Sequence, residues 1–144
     1  VTVAVFLASA TAATFVWLGM VLAISFLEAP LKFRAPGVTT VIGLGIGRLV
    51  FRALNVAELV LAVVVVVGVV LAGLPLGPAV AVGVLVVVLA VQLGVVRPGL
   101  NRRSDRVLAG EEVPRSRAHL VYIGLEVAKV VALVVLGALL LGGA

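Results

Sequence analysis

Apolar residues fill four long stretches of this chain, at about 3–27, 39–72, 79–96 and 116–141, with short polar breaks between them. Each is close to or longer than the ~20 residues that carry a helix across a bilayer. The β-branched runs 63–67 and 84–88 raise strands as an alternative. Membrane strands alternate polar and apolar residues over about ten positions. These runs are apolar throughout, so the pattern predicts helices. The expected fold is all-α, a polytopic membrane four-helix bundle forming one transmembrane domain over 1–144.

The breaks set the expected ends. Pro30, in Glu28-Ala29-Pro30, removes a donor and disfavours helix at Ala29, so helix one should stop there. A basic loop at 32–37 follows, with Pro36-Gly37 as its turn. Thr39 or Thr40 can cap helix two, whose opening Gly43, Gly45 and Gly47 could be irregular. Leu74-Pro75-Leu76-Gly77-Pro78 makes a tight turn, and Arg97-Pro98-Gly99 should end helix three. The longest polar stretch, 101–117, has room for a short surface helix. Ser116 can cap helix four, and 142–144 should fray. Ala8-Ser9-Ala10 resembles a signal cleavage site, but no basic region precedes it and the apolar run continues to Leu27. A retained helix is the better reading.

Polar residues recur inside the apolar stretches with helical spacing. Arg48, Arg52, Asn55 and Glu58 follow steps of four, three and three, as do His119, Tyr122, Glu126 and Lys129 in steps of three, four and three. Such spacing groups each set on one side of its helix. Glu58 and Lys129 each lie about 15 Å beyond the start of their stripe, at ~1.5 Å per residue, near the middle of a ~30 Å core. Burying a charge in hydrocarbon costs several kcal/mol or more without a partner, so the stripes should turn inward. With helices two and four facing each other, Glu58 could pair with Lys129. Glu126 could pair with Lys129, Arg48 or Arg52, and Asn55, Gln92 and Tyr122 could satisfy the remaining groups. The same pairs could also do no more than fix helix register. Direct pairing among Asn55, Glu58, Glu126 and Lys129 would favour that scaffolding role; a solute or ion between them would mark a pathway.

The two halves look alike. Leu49, Phe51, Leu54, Asn55 and Glu58 align with Leu120, Tyr122, Leu125, Glu126 and Lys129, and Pro30 and Arg34 with Pro98 and Arg102. A tandem parallel repeat of helix hairpins is expected, and substrate sites often lie between repeats.

Composition narrows the function classes. The chain is 64% hydrophobic and 12% charged, with mean hydropathy +1.40. A soluble domain carries roughly 25% charged residues. No separate soluble catalytic domain is expected within these 144 residues. No cysteine is present, which removes thiolate chemistry and Cys-held metals. One His and one Met leave too few ligands for an all-protein transition-metal site. No cofactor is expected, and no nucleophile–base pair marks an enzyme.

The net charge of +5 is uneven. Lys32, Arg34 and Arg48 surround the first connection, and Arg97, Arg102, Arg103, Arg106, Arg115 and Arg117 the third; 71–78 carries no charge. Excess Lys and Arg mark cytoplasmic loops, so both termini should lie outside. The basic belts can attract anionic lipid headgroups. The segment 101–106 lacks interleaved aromatics, so nucleic acid is not an expected partner. The Arg, Ala, Val, Leu and Gly bias resembles GC-rich bacterial coding, which points to a bacterial inner membrane. Glu28, beside Lys32 and Arg34, is either an interfacial charge cluster or a gate acid.

Phe33-Arg34-Ala35-Pro36-Gly37, Arg97-Pro98-Gly99-Leu100-Asn101 and His119-Leu120-Val121-Tyr122 resemble segments of small four-helix bacterial membrane proteins related to copper-resistance membrane domains. The resemblance implies the four-helix layout. The single His, single Met and absent Cys depart from a copper-handling pattern, so copper transport is not carried over. The expected function is permeation or transport of an ion or small polar solute through a Glu/Lys/Arg seam, in a homo-oligomer. The alternative is a non-catalytic accessory or lipid-binding subunit of a larger membrane complex.

Overall fold

The structure, a computed structural model, describes residues 2–114 and 117–142. Four helices dominate it: α1 (Thr2–Arg34), α2 (Thr40–Leu71), α3 (Leu76–Leu108) and α4 (Arg117–Leu141). Each is long and apolar enough to cross a membrane, and no strand occurs among the described residues. The expected all-α membrane bundle is therefore the fold. Arg115, Ser116 and the tail residues Gly143 and Ala144 lie outside the described residues, the proposed Ser116 cap among them.

Neither Pro30 nor Pro98 ends a helix, contrary to the sequence expectation. α1 runs on to Arg34 and α3 to Leu108, so the polar segment after Pro98 extends α3 instead of forming a separate surface helix. Both prolines follow a π-helical segment, Leu22–Glu28 and Gln92–Val96. There the Ala29 N–H donates to the Ile24 carbonyl, and the Arg97 N–H to the Gln92 carbonyl. The wider turn makes room for a proline ring that would otherwise strike the carbonyl one turn back. The same device thus appears once in each hairpin.

Thr39 is the cap of α2, its Oγ1 accepting from the Ile42 N–H at 3.2 Å. The glycines that follow are regular helix. Gly43 and Gly47 are the contact surface for the end of α1, with the Phe33 ring against one and Lys32 over the other. α2 and α3 end alike. Gly73 and Gly110 have positive φ, and the next residue's N–H bonds back to Val69 and Arg106 respectively. This is the six-to-one cap that glycine permits.

α1 packs along both α2 and α4, while α3 packs along α4 and more lightly along α2. α2 and α4 are therefore diagonal, facing one another across the bundle with α1 and α3 between them. Trp17, Val21, Val65, Leu85, Leu133 and Leu136 form the centre. Small residues bring backbones together, as where Gly68 of α2 meets Ala10 of α1. The outer surface is equally apolar, with Leu49 72% and Leu76 77% exposed, as hydrocarbon solvent requires.

Candidate functional site

Polar side chains from all four helices meet in the interior. Lys129 is fully buried, and its three ammonium donors have three neighbours. Nζ lies 2.5 Å from Glu58 Oε2, 2.6 Å from Glu126 Oε1 and 2.8 Å from Gln92 Oε1. Trp17 Nε1 donates to the same Glu58 oxygen at 2.8 Å. Gln92 Nε2 donates to Glu126 Oε1 at 2.7 Å, and Ser25 Oγ donates to Glu126 Oε2 at 2.5 Å. Ion pairs in a low-dielectric interior hold only when remaining donors and acceptors are also satisfied. Here that condition is nearly met: of the polar atoms of Trp17, Ser25, Glu58, Gln92, Glu126 and Lys129, Glu58 Oε1 alone is buried without a hydrogen-bond partner among the described residues.

Local structure explains how α1 and α3 reach the site. Ser25 lies inside the first π turn and Gln92 opens the second. Both contact Glu126, one on each carboxylate oxygen. Such turns recur at functional positions because they re-aim a side chain without ending the helix. Two carboxylates against one ammonium leave the cluster one positive charge short of neutrality when all three are ionised.

Below the cluster, at the basic end, a cavity of about 440 Å³ reaches Glu126. Its walls include Phe33, Leu44, Phe51, Ile123 and His119, and its cations are Lys32, Arg48, Arg97 and Arg103. Arg97 packs against two rings, its Cζ 4.9 Å from the Phe51 centroid and 4.4 Å from that of Tyr122. Those rings meet edge to face at 6.0 Å. Lys32 lies 3.7 Å from Glu28, Arg48 pairs with Asp105, and Arg103 donates to the carbonyls of Val113 and Pro114.

The residues singled out from sequence divide accordingly. Glu58, Glu126 and Lys129 are in direct contact. Tyr122, His119 and Arg48 line the cavity instead. Glu126 pairs within its own helix and not with Arg48. Arg52 is exposed and outside the seam. Six residues separate it from Glu58, so it points about 120° away around the helix. Gln92 satisfies its neighbours as expected, but Asn55 Oδ1 and the Tyr122 hydroxyl are buried without hydrogen-bond partners.

Sequence reasoning missed Trp17 and Ser25. Each is an isolated polar atom on an apolar helix, so no periodicity exposes it. The one available signal was that Trp17 is the chain's only tryptophan. Arg97 was visible in a basic belt and in the Arg97-Pro98-Gly99 break, but not as a residue of the site. Comparison with protein-family models, with curated proteins and with solved structures returns no match to this chain.

Proposed function

We propose that the protein mediates permeation or transport of an ion or small polar solute. The basic-end cavity is the entrance, and the Glu58–Lys129–Glu126 cluster is the gate behind it. The observation that carries this reading is the contact between the two: the cavity ends on Glu126, which is bonded to Lys129. Ionisable groups inside membrane helices mark pathways more often than not. A cluster one positive charge short of neutrality is suited to take up a proton or a cation as the gate opens. With the basic loops cytoplasmic, the entrance faces the cytoplasm of a bacterial inner membrane. Four helices enclose little space, so a second copy completes the path.

Reconstitution into vesicles tests this. Proton, potassium, sodium and chloride fluxes are followed with internal dyes under imposed gradients. Glu58→Gln and Lys129→Met should each lower the active flux by about tenfold or more. No flux above empty vesicles, or equal flux in both variants while they remain monodisperse, overturns the reading.

A second reading is a non-catalytic accessory subunit of a larger complex. It is favoured by the direct contact among Glu58, Glu126 and Lys129, the arrangement expected of a scaffold. Stoichiometric copurification with unrelated chains in mild detergent, with no flux from the protein alone, supports this reading over transport.

A further inference from the structure

We infer that the basic-end cavity is a binding site for an oxyanion carrying an apolar body, anchored side-on by Arg97. This deepens the transport reading by naming a substrate class. It rests on that reading only for what happens to the anion after it binds.

The argument starts with the guanidinium. Phe51 and Tyr122 engage it through ring contacts, and the Tyr122 hydroxyl is close enough to feel its charge. Nε and Nη2 are both buried and have no hydrogen-bond partner among the described residues. These two nitrogens share one edge, and their N–H bonds run parallel. That edge matches the two oxygens of a carboxylate or phosphate. A buried, hydrogen-bond-free fork is costly unless a ligand completes it.

The surroundings agree on the sign of the ligand. Lys32 and Arg48 have carboxylate partners that offset much of their charge, whereas Arg103 donates only to neutral carbonyls and raises the local potential beside Arg97. Among the described residues the one carboxylate lining the cavity is Glu126, at its inner end, where Ser25, Gln92 and Lys129 engage it. The walls are mostly aliphatic and aromatic, and about 440 Å³ lies within the range of small-molecule pockets. A bare inorganic ion would leave that apolar wall unused. An organic phosphate or carboxylate, or the headgroup phosphate of an anionic lipid entering from the bilayer, would use both parts.

The test uses the full chain in detergent and in nanodiscs. Phenyl phosphate and inorganic phosphate are titrated by calorimetry. Retention of phosphatidylglycerol against phosphatidylcholine is read by native mass spectrometry. Phenyl phosphate should bind saturably and more tightly than inorganic phosphate. Arg97→Gln should weaken it about tenfold or more. Arg97→Lys keeps the charge but not the fork, and should restore only part of the affinity. Arg97-dependent retention of phosphatidylglycerol, displaced by phenyl phosphate, would assign the same site to a lipid headgroup. Circular dichroism and a monodisperse profile for both variants exclude misfolding. Absence of Arg97-dependent binding by either probe overturns the proposal, as does equal affinity in wild type and Arg97→Gln. The outcomes separate cleanly from the transport reading. Arg97-dependent binding without flux of phenyl phosphate or of any of the ions above sinks transport and leaves the site. Flux with Arg97-insensitive binding sinks the site and leaves transport.

Discussion

Lys129 decides the energetics of the interior, because it is the one cation shared by two buried carboxylates and an amide. Removing it would leave Glu58 and Glu126 as buried acids without their counter-charge. Breaking a buried pair from one side costs about 3–5 kcal/mol. Lys129→Met should therefore lower thermal stability in detergent strongly. Lys129→Met combined with Glu58→Leu should recover part of the loss, since replacing a buried pair by apolar groups is often neutral. Equal unfolding temperatures for wild type and Lys129→Met would show that the cluster carries no such weight. Glu58 and Lys129 were legible in sequence because a lone charge in an apolar helix must find a partner, and their stripes pointed at each other. Arg52 followed the same spacing but lies too far around α2 and is exposed on the outside of the bundle. Trp17 and Ser25 were illegible because a single hydrogen-bonding atom leaves no period.

At the scale of the helix, proline was misread as a stop. The rule is sound for an α-helical turn, but a preceding π turn removes the clash, and nothing in the composition of Leu22–Glu28 or Gln92–Val96 announces one. The consequence reaches the candidate site: the turns carry Ser25 and Gln92, which join Lys129 in holding Glu126. The small residues were similarly ambiguous, since glycine spacing signals either flexibility or close packing. Here the close approach is real. A Cβ at Gly68 would stand 2.8 Å from Ala10 Cβ and 2.9 Å from the Phe6 carbonyl, with backbone on one side that cannot swing aside. Gly68→Val should push α1 from α2 and cost about 1–3 kcal/mol, the usual range for overpacking. Gly45→Ala, where nothing lies within 4 Å, is the matched control and should be silent. Thermal unfolding of the two side by side checks the assignment, and an unaffected Gly68→Val would mean the helices are looser than the packing implies.

For the molecule as a whole, four membrane-length helices were readable from hydropathy alone, because hydrocarbon admits few other solutions. Their lateral order was not: lipid-facing and core-facing residues are equally apolar here, so no hydrophobic stripe says which neighbour each helix takes. The charge asymmetry does make a statement about direction. The connection 35–39 and residues 109–114 lie at the end that holds the cavity, and the uncharged turn 72–75 lies at the other. If basic loops stay in the cytoplasm, the cavity opens there and anions reach it from inside. The chain has no cysteine, so single cysteines can be introduced without a background. Asn101→Cys, on the cavity wall, should react with a membrane-impermeant maleimide in inside-out vesicles and stay protected in right-side-out cells. Leu76→Cys, 77% exposed beside the opposite turn, should show the reverse. The inverted labelling pattern would turn the entrance outward and require an external anion. Labelling of both positions from one side would contradict a four-span bundle, and with it the proposed gate at Glu58, Lys129 and Glu126.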